Sequence, residues 1–150
     1  MKRGFTLIET LVVIAIIAII LLIAVFWFPS WIKTKKVETD TNKIYLLIKK
    51  YQLLAMRQKI TVNVTLSNAT TIEVKYDSKT AKYSLDTPFN ATDNLTIDEF
   101  GRFHPASYPN LIQRVAFHST ENTTGKNCVK TYIINACEGH WNGTSCVCEY

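Results

Sequence analysis

A chain of 150 residues, 47% hydrophobic and carrying a net charge of +5, has room for one small domain with its own core. Its charge is localised: residues 33–59 hold eight Lys or Arg against Glu38 and Asp40, whereas residues 60–150 are slightly acidic. All four cysteines fall in the last 23 residues, which argues for an oxidising compartment and against a cytoplasmic enzyme.

In chain order, Met1-Lys2-Arg3-Gly4 is basic and ends on a small residue, and from Phe5 to Ile32 the only charge is Glu9. The uncharged part from Thr10 to Ile32 would reach about 34 Å as a helix at ~1.5 Å per residue, enough for a bilayer core of ~30 Å. No small-residue cleavage site follows the apolar run, so the run is expected to be retained and only Gly4, before the helix, suits a peptidase. A carboxylate inside such a helix costs about 2.5–3.5 kcal/mol on insertion scales and calls for a partner.

The segment Lys2-Arg3-Gly4-Phe5-Thr6-Leu7-Ile8-Glu9 resembles the class III leader shared by type IV pilins and type II secretion pseudopilins. The resemblance implies a leader over residues 1–4, with Lys2 and Arg3 holding it in the cytoplasm. It also implies cleavage between Gly4 and Phe5, N-methylation of Phe5, and an assembly role for Glu9, whose partner would be the Phe5 ammonium of a neighbouring subunit. That amine exists only after cleavage, so processing and assembly would be linked. Lysines on both sides of the apolar run leave the positive-inside rule nearly balanced. The cysteines and the resemblance place the C-terminal head outside, in the periplasm.

Pro29 lacks an N–H and disfavours helix at Phe28, so a kink is expected there, near Trp27 and Trp31 at the membrane boundary. Val37, Ile44, Leu47, Ile48, Tyr51, Leu54 and Ala55 recur at helical spacing and predict an amphipathic helix over residues 33–59. Its basic residues read as a solvated face or a neighbour of anionic lipid rather than a nucleic-acid site.

Beyond Lys59 the apolar period becomes two. Ile60 to Leu66 and Ile72 to Tyr76 predict paired strands, with turns at Ser67-Asn68-Ala69-Thr70 and Asp77-Ser78-Lys79-Thr80. Further strands are expected at Tyr83 to Leu85, Leu95 to Ile97, Val115 to Phe117 and Val129 to Ile134. The expected fold is α+β: a long N-terminal helix, apolar over residues 5–32 and amphipathic over 33–59, on a small antiparallel sheet or sandwich head over 60–150. Leu54 to Leu66, where the helix end leads into the first strand, and Leu95 to Phe103, with its Gly101-Arg102 turn, are similar to the GspH/FimT family of minor pseudopilins and minor pilins. The basic element of that family's DNA-binding members has no counterpart in the Cys137 to Cys148 tail.

Cys146 and Cys148 are poorly placed to join each other, so each is expected to pair with Cys128 or Cys137; which pairs with which stays open. Zinc ligation is the weaker reading, since C-x-C lacks the usual spacer, and no metal or cofactor is expected. His104, His118 and His140 sit in no H-E-x-x-H, and neither a G-x-S-x-G nor a Gly-rich phosphate loop occurs, so no catalysis is expected. Asn-x-Ser/Thr occurs at Asn63, Asn68, Asn90, Asn94, Asn122 and Asn142, against about two by chance for this composition, and reads first as turn and strand chemistry. Trp141 before Asn142-Gly143 predicts an aromatic at a C-terminal hairpin, more suited to packing than to a partner.

The resemblance implies a structural subunit, a minor pseudopilin or minor pilin of a type II secretion system or type IV pilus. Its partners would be other pilin or pseudopilin subunits, the prepilin peptidase/methyltransferase and the inner membrane. The alternatives are a major pilin forming the bulk filament, or a membrane-anchored binding domain.

Overall fold

The computed structural model describes residues 6–107 and 114–149, the side chains of residues 24–27 excepted. Helix α1 runs over Leu7–Gln58 with Pro29 inside it. The chain divides into two units, residues 1–33 and residues 34–150. A bend at residues 24–27 separates Leu7–Ile23 from Phe28–Gln58. Pro29 cannot donate to the carbonyl four residues before it, which is the physical reason for a bend in this turn. The kink expected near Pro29 is thus a bend within a continuous helix, and Phe28 itself keeps helical geometry.

In the second unit α1 buries Val37, Asp40, Thr41, Ile44, Leu47, Ile48, Tyr51, Gln52 and Ala55, a stripe at steps of one, three and four. Leu54, expected on that face, is partly buried against the same core. The helix ends one residue before Lys59, which takes the left-handed conformation at φ 56° while the Ile60 amide donates to the Ala55 carbonyl at 3.2 Å. This is a Schellman-type stop with lysine in the position glycine usually takes.

Two five-stranded antiparallel sheets follow. The first has the order β3-β2-β1-β5-β6 and the second β10-β9-β8-β7-β4. In chain order the strands are β1 Val62–Asn68, β2 Thr71–Tyr76, β3 Lys79–Ser84, β4 Phe89–Ala91, β5 Leu95–Ile97, β6 Phe103–Pro105, β7 Ala116–Ser119, β8 Cys128–Thr131, β9 Ala136–Trp141 and β10 Cys146–Cys148. Val62, Val64, Ile72 and Val74 alternate inward from β1 and β2, and Phe89, Phe117 and Val129 come from the second sheet. They share one core with the helix stripe. The fold is therefore α+β, a long helix packed on antiparallel sheets.

The first hairpin closes through Ala69 and Thr70, as the turn chemistry predicted, with the Asn68 side chain accepting from the Thr70 amide at 3.1 Å. The second closes on Asp77 and Ser78 alone, both at positive φ, because Lys79 and Thr80 already belong to β3. This is the left-handed pair that a two-residue hairpin requires. Leu85, expected in the third strand, lies beyond its end and is buried. Ile133 and Ile134, expected in a strand, instead form the exposed β8–β9 turn, closed by the Tyr132 amide donating to the Asn135 carbonyl at 2.6 Å.

Candidate processing and assembly segment

Lys2, Arg3, Gly4 and Phe5, the expected leader and processing residues, lie outside the described residues. The description begins at Thr6, whose carbonyl accepts from the amides of Glu9 at 3.0 Å and Thr10 at 3.3 Å. The Thr10 hydroxyl donates back to the Leu7 carbonyl at 2.8 Å. These bonds make the start of α1 regular, and they set Glu9 in its first turn, where a negative charge meets the positive end of the helix dipole.

Every residue from 6 to 23 is exposed. Leu7 is 83% and Ile8 74% accessible, and the exposed set continues around the helix through Leu11, Ile14, Ile17 and Ile20 to Ile23. A helix apolar on all sides is covered by lipid or by other helices, because no single face can be hidden against its own chain. Among the described residues no cation lies within ion-pair distance of Glu9. No single described helix is long and apolar enough to cross a membrane; Leu7–Ile23 and Phe28–Gln58 meet that requirement as a bent pair.

The second unit is pinned by polar groups that apolar periodicity could not reveal. Asp40, fully buried, accepts on one oxygen from the amides of Asp86 and Thr87 at 2.8 Å each and from the Thr87 hydroxyl at 2.9 Å. Its other oxygen meets Lys43 at 2.9 Å. Lys43 titrates above the usual lysine range chiefly through its hydrogen bond to Asp40, with burial opposing and the Asp40 and Asp86 charges assisting. Gln52 donates to the Gly101 carbonyl at 2.8 Å and the Ile134 carbonyl at 2.9 Å, joining the helix to loops of both sheets.

Gly101, in the turn after β5, has φ 76°, and a Cβ there would lie 2.7 Å from the Met56 sulfur, so any other residue would be strained in its backbone and would have to displace the Met56 side chain. Asp98 organises the same turn by accepting from the Phe100 and Arg102 amides at 2.9 and 2.8 Å, from the Arg102 guanidinium at 2.7 Å and from His104 at 3.2 Å. Burial pushes its carboxyl upward, but the bonds from Arg102, His104 and Phe100 outweigh that and hold it below the usual aspartate range. His104 thus serves this turn, and His118 stacks on Trp141 with ring centroids 3.9 Å apart.

The structure joins Cys128 to Cys146 and Cys137 to Cys148, which uses all four sulfurs and resolves the open pairing. Gly139 on β9 lies opposite Cys128 on one side and Cys148 on the other, where a Cβ would collide with the Val147 carbonyl. The β9–β10 hairpin beyond it places Trp141 at its end, with the Asn142 side chain accepting from the Thr144 and Ser145 amides at 3.0 and 2.8 Å.

No curated protein and no solved structure matches the chain. Residues 1–25 match the family described as the prokaryotic N-terminal methylation motif. That motif, leading into the exposed apolar start of a long helix on antiparallel sheets, fits a precursor of the type IV pilin-like and pseudopilin class.

Proposed function

We propose that this chain is a structural subunit, a minor pseudopilin or minor pilin of the GspH/FimT type, serving a type II secretion system or a type IV pilus. Prepilin peptidase cuts between Gly4 and Phe5 and methylates the new amine. The apolar part of the helix holds the subunit in the inner membrane with its head outside until it joins the filament. The chain does no chemistry itself; it is a substrate and then a building unit.

The observation that carries this reading is the methylation motif over residues 1–25 running into an apolar stretch whose only charge is Glu9. The Phe5 ammonium of a neighbour supplies the cation that the described residues do not offer to Glu9. Leu46, Leu53 and Met56 continue an exposed apolar stripe along the amphipathic part, suited to packing between helices. Two disulfides suit a head that folds outside the cytoplasm.

The test is the N-terminal mass of the protein isolated from its own membranes. A chain starting at N-methylated Phe5 is expected; one still starting at Met1 overturns the reading. Incorporation at low abundance into sheared filaments identifies a minor subunit, whereas dominance of the filament mass identifies a major pilin.

A further inference from the structure

The six Asn-x-Thr triplets hold one more piece of information than their number. All six asparagines, Asn63, Asn68, Asn90, Asn94, Asn122 and Asn142, are exposed, although the head also contains Asn127, which is buried and belongs to no such triplet. All six have threonine at the third position and none has proline at the second. Every one lies beyond Lys59, and the helix, where a bulky group would block packing, has none.

Turn and strand chemistry accounts for only half of them. Asn68 and Asn142 accept hydrogen bonds that close their hairpin turns, and Asn63 accepts from Thr96 on the neighbouring strand at 3.0 Å. Asn90 on β4 and Asn94 and Asn122 on loops make no side-chain hydrogen bond among the described residues, so nothing in the fold requires asparagine there. These three carboxamides stand in solvent with a threonine two residues on.

We propose that the head is an acceptor for N-linked glycan transfer, with Asn94 and Asn122 on loops as the principal sites, Asn90 on its short strand next, then Asn68 and Asn142, whose carboxamides close turns, and Asn63 last. Asn63 comes last because it lies on a strand paired on both sides and its carboxamide is already engaged. The donor is an oligosaccharide linked through phosphate to a membrane lipid. The asparagine amide nitrogen attacks the anomeric carbon, a C–N bond forms, and the bond from that carbon to the phosphate oxygen breaks. The lipid phosphate leaves with the electron pair, the amide proton passes to a base of the transferase, and nothing is oxidised or reduced. The threonine hydroxyl positions the triplet in the transferase, and an exposed, polar surface is where such a group is tolerated. The inference rests on the head being exported, as the function proposed above requires.

The experiment is intact-mass and glycopeptide analysis of the full chain from its own cells. Discrete mass additions on peptides containing Asn94 and Asn122 are expected. Asn122→Gln and Thr124→Ala should each remove the same addition, while Thr124→Ser should keep it. A bare polypeptide mass, or additions that map to Ser or Thr and survive Asn122→Gln, overturns the proposal. The N-terminal residue read from the same sample separates failure of export from failure of glycan transfer: methyl-Phe5 on an unmodified chain counts against the glycan alone.

Discussion

Residues 7–23 and residues 34–58 lie in one helix. In the first stretch every residue is exposed, whereas in the second nine are buried along a single stripe. The first stretch is apolar on all sides and its own chain cannot cover it. In the second, Val37, Ile44, Ile48 and Ala55 keep a 3.6-residue period and the chain covers them with its own sheets. Apolar content alone does not tell a helix that folds a domain from one that joins molecules; the period does, together with the polar groups the helix admits. The first stretch admits one carboxylate with no described cation beside it. The second admits Asp40, with every contact satisfied by its own fold.

The comparison breaks first at Glu9. Glu9→Ala should reduce incorporation into filaments at least tenfold, measured by shearing and immunodetection, while the head of the detergent-solubilised chain keeps its thermal midpoint. A lowered midpoint would mean that the carboxylate serves its own fold.

Phe117, fully buried, probes the opposite half. Phe117→Ala should destabilise the head by about 3–5 kcal/mol in denaturant unfolding followed by tyrosine fluorescence. It should leave cleavage at Gly4 intact in the molecules that fold.

Asp40→Ala strips the Asp86 and Thr87 amides of their acceptor and should destabilise the head by about 3 kcal/mol. Asp40→Asn, which keeps one acceptor oxygen, should be the milder change in the same assay.

The smallest effect concerns pH. The Asp98 carboxyl is held below the ordinary aspartate range in the folded head, so its stabilisation is fully present above an unfolded value of ~3.9. It is lost as pH falls through the lower folded value. Melting curves from pH 6 down to 2 should therefore decline less for Asp98→Asn than for the native chain, the two lying furthest apart above pH 4. Parallel curves would mean that the Arg102 and His104 contacts do not hold the charge.

The helix and the longer strands were legible because their side chains repeat at fixed periods. Val62, Val64, Ile72 and Val74 alternate, and all four are buried. Strands β4 and β6 span three residues each, and their Asn90 and Pro105 read as turn residues, whereas the equally short β5 shows Leu95 and Ile97 on either side of a threonine. In β9 Cys137 and Gly139 break the pattern. The Ile133-Ile134 pair misled for the converse reason: an apolar dipeptide reads as strand, yet the hydrogen bond from Tyr132 to Asn135 makes it a turn with both side chains outside. Asp40, Thr41 and Gln52 were missed because a polar residue on an amphipathic helix reads as solvent-facing. Only the partners, more than forty residues away in sequence, show that these side chains point inward. The methylation motif over residues 1–25 was legible as a short string around Gly4 and needed no fold to be read. The disulfide pairing was not, since setting Cys146–Cys148 aside still leaves two of the three connectivities of four cysteines, and only strand register chooses between them.

The Cys128–Cys146 bridge spans 18 residues and the Cys137–Cys148 bridge 11. These bridges determine how much slack a stretched head can release. Pulled between α1 and a point beyond Cys148, the oxidised chain could unravel β1 to β7 and then stop at the first bridge. It would withhold about 60 Å of contour, at roughly 3.4 Å per residue, that a reduced chain would yield. The two bridges thus set an upper limit on how far the stretch from Cys128 to Cys148 lengthens while its sulfurs stay oxidised.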